Sequence, residues 1–119
     1  MTTKKTNPDF LNGVPELLIL QLLDRQAMHG YDLVQAIRQA SGERLDFGEG
    51  CIYPVLHRLE EQQLLASKRE LVGGRNRIIY RPTRLGQRRL ADSRMNWQEI
   101  VAAIGTVLQG GEHDKPALA

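Results

Sequence analysis

Cysteine is nearly missing from this chain: Cys51 is the only one in 119 residues. No internal disulfide is available, so a reducing, cytoplasmic setting is expected. Aromatic residues are scarce at 5%, with Trp97 the single tryptophan. Long apolar runs are missing too. The longest, residues 17–23, is interrupted by Gln21 and flanked by Glu16 and Asp24, well short of the roughly 20 residues of a membrane span. Residues 1–8 are polar and do not read as a signal peptide. There is no P-loop, dinucleotide fingerprint or nucleophile elbow. His29, His57 and His113 stand apart, without metal-ligand spacing to Cys51. These gaps argue against a membrane protein, a disulfide scaffold and an enzyme, and call for neither metal nor cofactor.

What is present is an uneven charge. The net +2 conceals a segment, residues 66–94, with Lys68, Arg69, Arg75, Arg77, Arg81, Arg84, Arg88, Arg89 and Arg94 against Glu70 and Asp92. That segment carries +7 and the remainder −5, a clustering suited to a polyanionic partner. With 41% hydrophobic and 25% charged residues, the chain suits one soluble domain with a modest core.

The hydrophobic spacing predicts four helices and a hairpin. After a flexible polar tail (1–9), Pro15 suits the first turn of a helix running to about Gln26. Its density of leucines implies burial on several sides. A second helix over about 31–40 carries an apolar stripe of Leu33, Val34 and Ile37 and stops at Gly42. Residues 45–47 form a candidate short strand. A third helix starts near Gly48, capped by Asp46 or Gly48, with Ile52, Val55, Leu56 and Leu59 at i, i+3, i+4 and i+7. Pro54 places the start of that helix close by, since proline is tolerated only near the first turn. Residues 65–71 and 77–81 are the hairpin arms, with Ile78 and Tyr80 on one face and Arg77, Ile79 and Arg81 on the other. Pro82 ends the strand, and Thr83 caps a fourth helix that Gly110-Gly111 terminates. The expected architecture is mainly α with a small β-hairpin. It is a winged helix-turn-helix over 10–83, a C-terminal dimerisation helix over 84–109 and a polar tail over 110–119.

That order places a recognition helix beside a wing. The N-terminal residues of such a helix meet base edges in the major groove, which singles out Cys51, Tyr53, Pro54 and His57. Tyr53 and His57 are four apart and share a face; the alternative is that Tyr53 packs on a neighbouring helix. In the turn, Gly73-Gly74 allows positive φ, and Arg75 and Arg77 offer guanidinium forks to phosphate, with Lys68, Arg69 and Arg81 in support. Solvated arginines on an ordinary hairpin are the competing reading. A winged-helix module that binds protein rather than DNA remains the rival function.

The fourth helix carries Trp97, Val101, Ile104 and Leu108 at spacings of 4, 3 and 4, a heptad-like seam that suits an intermolecular helix pair. The alternative is packing back on the first helix. A homodimer would match a palindromic operator on double-stranded DNA, its recognition helices about 34 Å apart. Trp97, with Val101, is either an interface anchor or a platform for a planar aromatic effector; a small-molecule carrier built there is a further rival. Cys51, in the first turn of the third helix, is placed where the helix dipole favours a thiolate, so a redox-responsive repressor is a second alternative.

These residues resemble a known family. Leu17-Leu18-Ile19-Leu20 with Met28-His29-Gly30-Tyr31-Asp32-Leu33 is similar to the "LLxLL…xHGYxL" opening of the PadR family of transcriptional regulators. Gly50-Cys51-Ile52-Tyr53-Pro54-Val55-Leu56-His57-Arg58-Leu59-Glu60 resembles its "GTLYPxLxRLE". Residues 73–86 resemble its "GGRxRKYYxLTxxG". The likeness covers about residues 14–90. It implies a dimeric winged-helix repressor of a neighbouring detoxification, efflux or phenolic-metabolism gene. The single C-terminal helix resembles the family's smaller branch, in which a tryptophan on the dimer helix lines a pore for planar compounds; Trp97 matches in type and place. Two departures stand out: Cys51 occupies a position usually Thr or Ser, and Ile78-Ile79 replaces a more basic and aromatic pair.

Overall fold

Gly13 takes the left-handed conformation (φ 89°) just ahead of Val14 and Pro15, and the proline sits in the first turn of the helix it opens. Its missing N–H has no intrahelical partner there. The structure, a computed structural model, describes residues 13–118 and the side chains of 13–110. The tail expected over 1–9 lies outside them. The elements are α1 (Val14–Arg25), β1 (Met28–His29), α2 (Gly30–Ala40), α3 (Glu49–Glu61), β2 (Leu65–Val72), β3 (Arg75–Pro82) and α4 (Arg84–Leu118). The chain is thus the mainly helical winged helix that its sequence suggests. Among the described residues no helix is long and apolar enough to cross a membrane.

The sheet is antiparallel with β3 in the centre, β1 on one side and β2 on the other. Met28 pairs with Tyr80 and His29 with Ile79; β2 and β3 pair from Leu65 opposite Pro82 to Val72 opposite Arg75. The sequence placed the extra strand at 45–47, but that stretch is a loop, and the third strand is β1, ahead of α2. Phe47 nevertheless anchors the loop in the core. Burial of one aromatic ring explains its alternation with Leu45 without any strand partner.

The core joins Ile19, Leu20 and Leu23 of α1, Leu33, Val34 and Ile37 of α2, and Ile52, Leu56 and Leu59 of α3. Leu64, Leu65, Tyr80 and Leu90 close it from the hairpin and α4. Each such side chain contributes about 1.5–3 kcal/mol by leaving water. The predicted stripes of α2 and α3 are the buried ones, with Val55 only partly covered. On β3 the expected division of faces is incomplete: Tyr80 and Ile79 are both buried while Ile78 is 45% exposed.

Two helix ends share one device. After α2, Gly42 (φ 66°) donates to Gln39 O, and Glu43 N–H reaches back to Arg38 O at 2.7 Å. After α3, Gln63 (φ 63°) donates to Glu60 O, and Leu64 N–H to Leu59 O at 2.9 Å. These are Schellman closures, which satisfy carbonyls that the helix leaves open. Pro54 lies inside α3 rather than in its first turn. Its ring forfeits the bond to Gly50 O, and Gly50 is exposed, so water is available to that carbonyl.

The start of α4 is locked to the end of α3. Thr83 Oγ1 accepts from Gly86 N–H at 3.0 Å, the N-cap expected of it, and donates to Gln63 O at 2.7 Å. Thr83 N–H donates to Leu64 O at 3.0 Å. From there α4 continues past Gly110-Gly111 to Leu118, longer than the sequence suggests. Glycine weakens a helix by about 1 kcal/mol per residue without obstructing its geometry, so the pair lowers propensity but does not terminate the helix.

Candidate nucleic-acid interface

The first turns of α3 present the residues singled out for the major groove. Pro54 and His57 are exposed; Cys51 and Tyr53 are half-buried. Tyr53 owes its position to Gly30, the first residue of α2: a Cβ there would lie 2.6 Å from the Tyr53 ring. Tyr53 therefore does pack on a neighbouring helix, and the contact leaves its ring 6.3 Å from that of His57, tilted by 54°. Gly30 itself follows His29, whose Nδ1 accepts from Asp32 N–H at 3.4 Å and whose Nε2 lies 3.2 Å from the Asp32 carboxylate. This reciprocal cap fixes where α2 begins. A polar residue followed three places later by an acid was its signal in the sequence.

Cys51 departs from expectation. Burial pushes its thiol up, opposite to the lowering expected at a helix N-terminus. Its side chain packs against the core, and desolvation disfavours the thiolate. Burial thus works against the thiolate that the helix position favours.

At the wing tip, Gly73 (φ 58°) and Gly74 (φ 80°) form the two-residue turn between Val72 and Arg75. Positive φ at both central positions is the twist that suits a tight hairpin. Arg75 is exposed and Arg77 half-buried; neither has an ion-pair partner among the described residues. The supporting cations differ. Lys68 and Arg81 both face Glu70, at 3.7 and 3.8 Å, so part of their charge is already compensated. Exposed pairs of this kind contribute little to stability and exchange readily for a stronger anion.

Two arginines that looked available are internal ties. Glu16, with its side chain 14% exposed, accepts from Arg58 Nη1 at 3.3 Å and Arg89 Nε at 2.9 Å. One carboxylate of α1 thus joins α3 to α4, so Arg58 does not serve the exposed face of α3.

A cleft of about 240 Å³ separates α3 from the wing, lined by His29, Gly30, Tyr53, His57, Asn76, Arg77, Ile78 and Tyr80. Asn76 and Tyr80 were not singled out by the sequence; alternation on β3 puts them on one face with Ile78, the only signal they carried. Tyr80 is 4% exposed. Burial, with the fields of Glu60 and Tyr53, pushes its hydroxyl above the usual tyrosine range.

The seam on α4 divides. Trp97 packs against the core of its own chain and, with Leu17, Leu18, Gln21, Arg94 and Gln98, lines a cavity of about 200 Å³. Val101 is not among those walls. Val101, Ile104 and Leu108 are 61, 51 and 79% exposed, and Ile100 and Val107 extend the same apolar surface. Packing on α1 therefore accounts for Trp97 but for none of the distal residues.

Comparison with known proteins agrees with this geometry. The model of the "Transcriptional regulator PadR-like family" matches residues 19–92. The transcriptional regulator Rv3488 of Mycobacterium tuberculosis is 34% identical over 96 residues, which span 81% of this chain and 87% of that protein. The crystal structure of a PadR family transcriptional regulator from Eggerthella lenta superposes with a TM-score of 0.72 at 29% identity, covering 85% of this chain and 87% of that one. A PadR-like transcriptional regulator from Bacillus cereus gives a TM-score of 0.75 at 25% identity, covering 85% and 97%.

Proposed function

Because this chain belongs to the PadR-like family of transcriptional regulators, a family of DNA-binding regulators and not of enzymes, we propose that it is a homodimeric cytoplasmic repressor of a palindromic operator. In this reading Cys51, Tyr53, Pro54 and His57 enter the major groove at the start of α3. Arg75 and Arg77 hold backbone phosphates from the wing, and Lys68 and Arg81 add charge once they exchange Glu70 for DNA. The observation that carries the reading is the pairing of an exposed α3 face with a glycine-turned wing whose two arginines have no partner within the chain among the described residues. Such an arrangement has no purpose in a core and suits a polyanion.

Dimerisation is assigned to Val101, Ile104 and Leu108, with Trp97 at the inner end of the seam. Their apolar surface is continuous and exposed in the single chain, more than a soluble monomer normally leaves uncovered. The cavity beside Trp97 takes the planar aromatic effector, with Val101 reaching it from the partner protomer. Release requires that the effector bind the DNA-incompetent arrangement more tightly than the competent one, since equal affinity shifts nothing. The regulated gene is a neighbouring one for detoxification, efflux or phenolic metabolism.

The test is a mobility shift on the DNA upstream of the chain's own gene, titrated with salt and with planar phenolics. A shift at nanomolar protein that weakens steeply with salt is expected, as is its loss with one compound class. No shift at any salt concentration would transfer the assignment to a protein-interaction module.

A further inference from the structure

The cleft between α3 and the wing has a property that a structural gap does not need. Five residues with polar side chains line it and have no side-chain hydrogen-bond partner among the described residues: Tyr53, His57, Asn76, Arg77 and Tyr80. Tyr80 is the most telling, because its ring is more than nine-tenths buried while its hydroxyl is not sealed away as an unsatisfied group. That hydroxyl therefore opens into the cleft, where it is free to donate to a ligand in place of water. His29 lines the same cleft but is committed to capping α2. The remaining groups are a fixed cation, an amide, an imidazole and two hydroxyls, a set that matches the several acceptor oxygens of a phosphate. The Tyr53 and Tyr80 rings and Ile78 supply apolar walls of the kind a sugar lies against.

We infer that this cleft seats a single phosphate, and that its occupant is one backbone phosphodiester of bound DNA, at the point where the strand passes from the groove entered by α3 to the groove under the wing. Arg77, Asn76, Tyr53 and Tyr80 hold it, and His57 stands at the mouth. The inference rests on the DNA-binding reading and adds that one phosphate per half-site is gripped rather than merely attracted. It also gives Gly30 a purpose: a Cβ there would lie 2.6 Å from the Tyr53 ring and displace it from the seat. Glu60 is the carboxylate whose field reaches Tyr80. It accepts from Ser67 Oγ at 2.5 Å; the Tyr80 hydroxyl, like any tyrosine's, is protonated near neutral pH and is a donor there.

The experiment uses the full chain and a set of duplexes, each carrying one neutral methylphosphonate at a different position across the bound region. Affinity is measured for wild type, Arg77→Gln, Tyr80→Phe and Asn76→Ala; the last alters an exposed side chain and leaves the core intact. On unmodified DNA, Arg77→Gln should weaken binding roughly tenfold and lower the salt slope by about one. The other two should weaken it several-fold. At one position in each half-site the methylphosphonate should erase all three differences, and at every other position the differences should persist. Differences that persist at every position would overturn the seat while leaving DNA binding intact. Failure of the wild type to bind any duplex would overturn both readings. Phenyl phosphate is the second probe: ring shifts of Tyr53 and Tyr80 on its addition, without any coupled position in DNA, would make the occupant a free phosphate ester and overturn the DNA assignment.

Discussion

A single methyl group tests how α4 is seated. Gly86 lies in the first turn of α4 against the end of α3, and a Cβ there would fall 2.0 Å from Leu64 O. That atom is backbone and already accepts from Thr83 N–H, so it cannot move aside cheaply. Gly86→Ala is expected to cost roughly 1–3 kcal/mol, the usual penalty of overpacking, read as a lower urea midpoint at unchanged slope. Titration supplies a second test at this scale. Burial raises both Cys51 and Tyr80 above their ordinary values, so the folded chain holds these protons more tightly than the unfolded one. Their contribution is complete at neutral pH and below, and is lost as pH rises through the thiol and then the phenol range. Stability should therefore fall on the alkaline side, starting above about 8.5 and steepening above about 10, and Tyr80→Phe should flatten the second part. Iodoacetamide should modify Cys51 more slowly in the folded chain than in urea at the same pH; equal rates would restore the case for a reactive thiol.

Among the elements, the two Schellman closures form a natural control. Both C′ residues adopt φ near +65°, but one is Gly42 and the other Gln63. A side chain in this region carries a steric cost of about 1 kcal/mol that glycine escapes. Gln63→Gly should accordingly raise stability by roughly 0.5–1 kcal/mol in thermal or urea unfolding, because only the Gln63 carbonyl is used by Thr83. A loss of stability would mean that the Gln63 side chain has a role beyond the turn. The elements also show where periodicity succeeds. The stripes on α2 and α3 were legible because their apolar residues recur at helical spacing, and Ile37, Ile52, Leu56 and Leu59 are at most 1% exposed. The strand expected over 45–47 failed because alternation over three residues is as consistent with a loop anchored by Phe47. The real third strand, Met28–His29, is too short to have a period at all. It exists because β3 offers an edge to pair with.

For the whole molecule, the decisive fact is the contrast between the two halves of α4. Leu90 and Trp97 face the chain's own core, whereas Val101, Ile104, Val107 and Leu108 face solvent at 51–79% exposure. If that surface joins two copies, Ile104→Glu should convert a dimer into a monomer in sedimentation while the far-ultraviolet circular dichroism stays helical. Operator affinity should fall with it, since two half-sites would no longer be bound as one unit. A dimer that survives the substitution would place the interface elsewhere. Glu16 belongs to this scale as well, because its paired contacts to Arg58 and Arg89 join the helix proposed to face DNA to the helix that would meet the partner.

The sequence alone determined the class of the protein. Local spacing specified the helices, the wing turn and the position of Thr83, and those features depend on neighbours within a few residues. The wing arginines were legible for the same reason, because Gly73, Gly74, Arg75 and Arg77 lie in one short segment. Only the tertiary structure decided which of the remaining cations are free. Arg58 and Arg89 are tied to Glu16 over separations of 42 and 73 residues, and Arg81 meets Glu70 only once β2 and β3 pair. The cleft is of the same kind: Gly30, the Tyr53–His57 pair and Tyr80 come from three elements, and no spacing in the sequence relates one element's residues to another's. Cys51 is raised by burial in the folded chain, an influence that no local pattern encodes and that opposes the pull of its place on a helix.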